Sequence, residues 1–336
     1  MNVTEKYVAA DGRYDGENTG FYRRCGISGV LLPRISLGMW HNFGGVDPFE
    51  RSRAITRYAF DHGITHFDLA NNYGPPYGSA EETFGRLMEE DFRPYRDELF
   101  ISTKAGYDMW RGPYGNWGSR KYIMASLDQS LKRMNIDYVD LFYSHRYDPN
   151  TPLEETLQAL VDIVRAGKAL YVGISRGPLE ALKFADKYLR DRDVPLLIYQ
   201  GRLNLIDREP QNSGVLDYCY DNGIGFISFS PLAQGVLTDR YLNEIPEGSR
   251  MSRSGSLKPQ MLTPELHDYI EELGKEAKQQ GLTIAEFALA WVQAQRGVTS
   301  VIVGASSVEQ LDRNLHSPGN IDSVLVSIPG TNVSLG

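Results

Sequence analysis

"THFDLANNYGPPYG" (residues 65–78) begins as a strand and stops in a loop rich in Asn, Gly and Pro. It sets Asp68 near the end of the strand and Tyr73 five residues later. What that pair is for depends on what stands at the same point of later repeats, because one pattern recurs along the chain: a short apolar strand, a polar loop and an amphipathic helix. The strands read as 35–40 (ISLGMW), 66–70 (HFDLA), 100–106 (FISTKAG), 139–145 (VDLFYSH), 170–175 (LYVGIS), 196–200 (LLIYQ), 225–230 (GFISFS) and 300–306 (SVIVGAS). Ahead of them, "FYRRCGISGVLLPRIS" (21–36) reads as a hairpin turning at Gly26 to Gly29.

Helical spacing fills the gaps. Leu153, Leu157, Leu160, Val161 and Val164 fall on one face, as do Met124, Leu127, Leu131 and Met134. Gly63, Gly167, Gly223 and Gly281 stand where helices end. Strands alternating with helices imply a parallel sheet covered by helices, and eight units imply a closed (β/α)₈ TIM barrel. The rival, a doubly wound sheet with a second domain, would carry G-x-G-x-x-G after its first strand, and the chain has neither that pattern nor a P-loop. No Pro/Gly/Ser linker divides the chain. The expected organisation is a polar extension over 1–20, one domain over 21–318 and a tail over 319–336, with a long loop after the seventh strand. That strandless stretch, 234–262, is either mobile or functional at such a length.

Composition excludes several classes. The chain of 336 residues is 41% hydrophobic and 23% charged, a globular profile. A net charge of −8 argues against nucleic-acid partners, which call for a basic face. Cys25 and Cys219 give neither a disulfide framework nor a metal spacing. No run reaches the roughly 20 apolar residues of a membrane span, and the N-terminus lacks a signal-peptide core, so a cytoplasmic protein is expected. His62 and His66 are four apart but separated by Gly63 at a helix-to-strand junction, so no metal site is expected. The acidic "MEEDF" (88–92) reads as a solvated helix end.

Catalytic groups of such a barrel come from the C-terminal ends of its strands. Here those ends carry Asp68, Lys104, His145, Ser175 and Gln200. Phe100, Ser102 and Lys104 share one face of their strand, and Leu141, Tyr143 and His145 share one of theirs, so the polar groups can converge on the mouth. Singly, each is an ordinary loop or structural residue. Asp, Tyr, Lys and His on consecutive units are harder to dismiss.

"DLANNYG", "ISTKAG", "YSHRYD", "VGIS", "IYQGRLNL", "FSPLAQG" and "SVIVGASSVEQLDRN" together resemble an aldo-keto reductase, in order and at family spacing from about residue 21 to 316. The chain looks most like the potassium-channel β-subunit-like branch. Within that branch, "GMWHNFGG", "DLANNYGPPYGSAE", "KAGYDMWRGPYG" and "GSRKYIMASLDQSLKRM" are similar to a bacterial group that reduces L-glyceraldehyde 3-phosphate. The resemblance implies a tetrad of Asp68, Tyr73, Lys104 and His145. Tyr73 would be the proton donor, Lys104 would favour its phenolate, Asp68 would hold Lys104, and His145 would orient the substrate carbonyl.

The resemblance also implies a nicotinamide dinucleotide, NADPH, lying across the mouth and supplying the hydride. Ser175, Arg176 and Gln200 match carboxamide-side positions, Phe229 the stacking position, and Ser230, Pro231, Leu232 and Gly235 the pyrophosphate passage. Gly304, Ser306, Gln310 and Asn314 match the adenosine half, at a helix N-terminus suited to phosphate. Arg240 and Arg250 fall in the cofactor-clasping loop. Trp40, matching both cofactor and substrate positions, and Trp110, with Tyr73 and His145, would line the substrate site. Arg176 stands where many members have Asn, as in the channel branch; Arg313 stands where an acidic residue is usual; and the sequence after Pro318 departs from the usual C-terminal helix.

Trp40, Tyr107, Trp110, Tyr143 and Tyr147 suit a wall for a small carbonyl compound. Arg111, Arg120, Lys121 and Arg146 are a candidate anion set for a phosphorylated aldehyde, and methylglyoxal is the alternative substrate. The branch admits a homo-oligomer, a tetramer or larger. A second function, an NADP(H)-sensing regulatory subunit with vestigial chemistry, would show a lost tetrad residue, and His145, replaced in the channel subunits, is intact here. A third, an isomerase or aldolase using Lys104 as a Schiff base, is disfavoured by Asp68 and Tyr73, which suit a charged lysine.

Overall fold

A computed structural model of the chain describes residues 6–16, 20–239 and 262–319. Strands β1 (Tyr22–Arg24) and β2 (Leu31–Pro33) pair antiparallel, Arg24 opposite Leu31. The turn between them needs glycine at Gly26, where φ is +55° and a Cβ would lie 2.0 Å from the Gly223 carbonyl oxygen. Eight parallel strands then close a barrel: β3 (Ile35–Gly38), β4 (His66–Asp68), β5 (Phe100–Ala105), β6 (Val139–Ser144), β7 (Ala169–Ser175), β8 (Leu196–Arg202), β9 (Gly225–Phe229) and β10 (Val298–Val303). Each pairs with its neighbours in sequence, and β10 pairs with β3 to complete the ring. Every residue of β6 and β10 is buried, as expected of parallel strands covered on both faces.

Helices α1 (Phe49–Asp61), α2 (Ser79–Leu87), α3 (Arg120–Met134), α4 (Leu153–Arg165) and α5 (Leu179–Arg190) each follow one strand. The short α6 (Glu209–Asn212) and α7 (Val215–Asp221) follow β8, α8 (Pro264–Gln279) and α9 (Ile284–Ala294) precede β10, and α10 (Val308–Leu315) follows it. The expected glycine stops hold: Gly63, Gly167, Gly223 and Gly281 all take positive φ. Inside the barrel Leu141, Tyr143, Ile198, Ile227 and Ile302 pack with Cys25, Val30 and Leu32, so the hairpin plugs the N-terminal end and leaves the other open. Gly173 on β7 makes room for this, since a Cβ there would sit 2.5 Å from the Tyr143 ring.

Several strands end earlier than their apolar runs suggest. β4 stops at Asp68 rather than at residue 70, yet the Leu69 and Asn71 amides still donate to the Ser102 and Lys104 carbonyls at 2.9 Å. The chain follows β5 while its own pleat breaks, which carries the Tyr73 loop back over the mouth. Of the 234–262 stretch, residues 240–261, with Arg240 and Arg250, lie outside the described residues, as do residues 320–336 of the expected tail. No helix among the described residues is long and apolar enough to cross a membrane.

The segment Met88–Phe92 corrects the sequence reading. It is a π-helical turn, not a solvated helix end. The Asp91 carboxylate is fully buried and takes paired hydrogen bonds from Arg53 (2.8 and 2.7 Å) and Arg57 (2.9 and 2.6 Å) on α1. The four-residue spacing of those arginines sets both on one helix face. Burial alone would raise the Asp91 carboxyl, but the two guanidiniums outweigh it and hold it below the usual carboxylate value. Asp91→Ala takes from Arg57 its carboxylate and leaves Arg53 only Glu90 (3.3 Å) and Glu50 (3.8 Å), and is expected to cost about 3 kcal/mol, read from the urea midpoint at neutral pH. Because the folded value is the depressed one, this contribution is present above the ordinary carboxylate value and is lost as pH falls through the folded value. The gap between wild type and variant should therefore close on acidification.

Candidate active site

The buried ammonium of Lys104, on β5, organises the open end of the barrel. Its three hydrogens go to Asp68 Oδ2 (2.7 Å), the Leu69 carbonyl (2.6 Å) and the Tyr73 hydroxyl (3.3 Å). Strand pairing sets this up: β4 and β5 run side by side with Asp68 opposite Ser102, so Asp68 reaches the Ser102 hydroxyl at 2.8 Å and Lys104 one pleat further on. Gln200, two residues before β8 ends, adds a donation to Asp68 Oδ1 at 3.2 Å. The Leu69 carbonyl and Ser102 are partners that single-residue reading misses. The parity of β5, which sets Ser102 and Lys104 on one face, was the available signal.

The electrostatics oppose one another. Burial alone would lower the Lys104 ammonium, but Asp68 and Tyr73 outweigh it and raise it. Burial raises the Tyr73 phenol; Lys104 pulls it down without cancelling the rise, and Asp68 adds to it. Lys104 thus acts on the phenol in the direction of the phenolate, yet burial outweighs it and the phenol keeps its proton. His145 follows β6, with its ring 6.0 Å from Tyr73. Burial, then Lys104, Arg176 and Arg146, hold its imidazole well below the usual value, so it is neutral. Its Nδ1 has no partner among the described residues.

Aromatic rings border these groups. Trp40 is 42% exposed and stacks near Tyr73 at 6.1 Å. Tyr107 stands edge-on to His145 at 4.7 Å, its hydroxyl accepting from Arg176 at 3.0 Å and its ring under Arg146 at 4.3 Å. Trp110 packs on Tyr122 with ring centroids 5.1 Å apart. Most of the candidate anion set is engaged locally. Arg120 pairs with Asp162, Lys121 lies over Tyr114 and Arg111 is exposed. Arg146 is clamped between Tyr107 and Trp117 while donating to Gly106 and Asn116. Local partners hold Arg120, Lys121 and Arg146.

The remaining candidates ring the mouth. Ser175 donates to the Gln200 carbonyl at 2.9 Å, and Phe229, half-buried at the end of β9, lies 5.5 Å from the Arg176 guanidinium. Ser230 to Gly235, through Pro231 and Leu232, fold into a tight turn. Non-glycine residues with positive φ concentrate on this rim: Arg176, Ser230, Ala233 and Gln234. Such backbone persists where the surroundings enforce it, often at binding sites, and composition could not reveal it. Beside β10, Ser306 donates from both its amide and hydroxyl to Gln310 Oε1 at 2.8 Å, Gly304 is exposed, and the buried Asn314 has an Nδ2 without a partner among the described residues. Among the described residues no group of three or more His, Cys, Asp or Glu is close enough to hold a metal ion.

Comparison with known proteins bears on this arrangement. The model of the aldo/keto reductase family matches residues 34–319. L-glyceraldehyde 3-phosphate reductase from Escherichia coli O157:H7 is 58% identical over 304 residues, 89% of this chain and 88% of that protein. Its counterpart in strain K12 is 57% identical over the same length. A probable voltage-gated potassium channel subunit beta from Arabidopsis thaliana is 34% identical over 301 residues, 88% of this chain and 90% of that one.

The depressed imidazole gives a direct test of the site's electrostatics. His145 should stay neutral from about pH 8 down to about pH 5, where an ordinary histidine charges. Its Cε1–H resonance should hold the neutral position across that range. A midpoint near the ordinary value would show that burial and the field of Lys104, Arg176 and Arg146 do not act on it.

Proposed function

The chain belongs to the aldo/keto reductase family, and from that premise we propose that it catalyses NADPH-dependent reduction of small aldehydes, L-glyceraldehyde 3-phosphate and methylglyoxal foremost, to alcohols. The observation that carries the reading is the full use of the Lys104 ammonium: one hydrogen reaches the Tyr73 oxygen, which thereby accepts and leaves its own O–H free to point at a substrate carbonyl.

In this reading Tyr73 is the general acid. Its buried phenol stays protonated at rest and gives up the proton when the carbonyl oxygen gains negative charge, because the adjacent ammonium stabilises the phenolate left behind. Asp68 holds Lys104 charged and aimed. The neutral His145 donates to the same carbonyl oxygen and fixes its direction, and Trp40 walls the pocket. When bound, the reduced nicotinamide supplies the hydride that no side chain can.

The residues of the rim suit that group. Ser175, Gln200, Arg176 and Phe229 would hold the nicotinamide end and Ser230, Pro231, Leu232 and Gly235 the pyrophosphate. Gly304, Ser306, Gln310 and Asn314 would take the adenosine half, where Asn314 offers a buried amide still to be paired. Arg240 and Arg250 would meet its phosphates, which is the basis for NADPH rather than NADH. The identity to a plant channel subunit supports a second reading, a nucleotide-sensing subunit.

Oxidation of NADPH followed near 340 nm, with L-glyceraldehyde 3-phosphate and methylglyoxal, separates the two. Tyr73→Phe should lower kcat about 10²–10⁴-fold with little change in KM, as loss of a general acid requires. Tight NADPH binding by the wild type with no aldehyde turned over would leave the sensing subunit as the better account.

A further inference from the structure

Beneath the tetrad a buried hydrogen-bonded chain crosses the barrel. Ser300 Oγ lies 2.6 Å from the Pro33 carbonyl and 2.7 Å from Ser36 Oγ. Ser36 Oγ lies 2.8 Å from His66 Nδ1, and His66 Nε2 lies 2.9 Å from Ser102 Oγ, which reaches Asp68 Oδ1 at 2.8 Å. Ser36, His66, Ser102 and Ser300 are all 0% exposed.

The hydrogens do not suffice for these links. Both ends, a carbonyl and a carboxylate, only accept, so five links need five hydrogens. Three hydroxyls supply one each and a neutral imidazole supplies one more. His66 is neutral: burial pushes it down to about 4, with Lys104 reinforcing and Asp68 opposing, and its other neighbour is the Phe100 ring edge at 5.5 Å. One link must go without.

Charge decides which. A hydrogen bond to a carboxylate is roughly twice as strong as a neutral one, so the Ser102 hydrogen goes to Asp68. The Phe67 carbonyl, 3.5 Å away, is too far to compete. With that hydrogen spent, Ser102 Oγ can only accept from His66 Nε2. His66 Nδ1 then accepts from Ser36, and the shortage falls at Ser300, farthest from the charge. The opposite tautomer would take the Ser102 hydrogen from Asp68 or set two lone pairs against each other at 2.9 Å.

We propose that His66 is a positioning residue for the tetrad, held as its Nε2–H tautomer so that it donates to Ser102 and commits the Ser102 hydroxyl to Asp68. Through Asp68 it acts on Lys104 and the Tyr73 proton, which rests on the reductase reading of that tetrad.

The tautomer is read on the free full-length protein by two-bond ¹H–¹⁵N correlation with ¹⁵N-labelled histidine. The His66 peaks are assigned by their loss in His66→Gln, or in His66→Asn should the first not fold. The expected pattern is a protonated Nε2 and a bare Nδ1, constant from about pH 6 to about pH 9; a protonated Nδ1 would overturn the proposal. A second readout uses turnover of L-glyceraldehyde 3-phosphate with NADPH. Ser102→Ala leaves the Asp68 charge less satisfied, so the alkaline limb of kcat/KM should move up by about half a pH unit with KM little changed. A limb that stays put contradicts the coupling, whereas absence of turnover in the wild type refutes the reductase reading and leaves the tautomer result standing.

Discussion

A charged ammonium buried in the barrel is the constraint on which the rest of the site depends. Taking such an ion out of water costs several kcal/mol even after relaxation, and its partners must return that cost in good geometry. Lys104 is fully buried and spends all three hydrogens at 2.6, 2.7 and 3.3 Å. Two of those acceptors, Asp68 Oδ2 and the Leu69 carbonyl, belong to the stretch where β4 ends. The early end of that strand therefore serves the ion pair: a pleat continued to residue 70 would turn the Leu69 carbonyl along the sheet and away from the ammonium.

The same ion explains why the acid beside it is restrained. An acid that ionised at rest would have no proton to give, and one left in an apolar pocket without a cation would hold it too firmly. Burial raises Tyr73 while Lys104 pulls it down, and the balance leaves the phenol above its ordinary value and protonated. His145 sits in the same field with the opposite result. Burial first, then the cations Lys104, Arg176 and Arg146, disfavour a further positive charge there, so the imidazole stays neutral. One buried ammonium thus stands beside a protonated phenol and a neutral imidazole.

How much of this the sequence disclosed follows from the range of each interaction. The eight strands, the glycine stops and the strand-end positions of Asp68, Lys104 and His145 depend on local period and are legible residue by residue. The burial of Asp91 was not, because its partners Arg53 and Arg57 lie on another helix. Nor was the clamping of Arg146, which needs Tyr107 and Trp117 from a neighbouring loop. The His66 chain joins Ser36 to Ser300 across the closure of the barrel, and no window of sequence contains both. The fold shows itself through repetition, whereas the wiring of the site is set by closure.

Closure also concentrates charge. The chain carries a net −8, yet the groups that bear on His145 are all cations: Lys104, Arg176 and Arg146. Arg176 donates to the Tyr107 hydroxyl while Arg146 covers the Tyr107 ring, so both are pinned at the mouth by aromatic contacts and not by carboxylates. Guanidinium, planar and weakly hydrated, suits that setting. A cleft lined by one sign of charge within low-dielectric walls raises the local concentration of the opposite sign. The cations around Tyr107 and His145 thereby give this part of an acidic protein a positive local field.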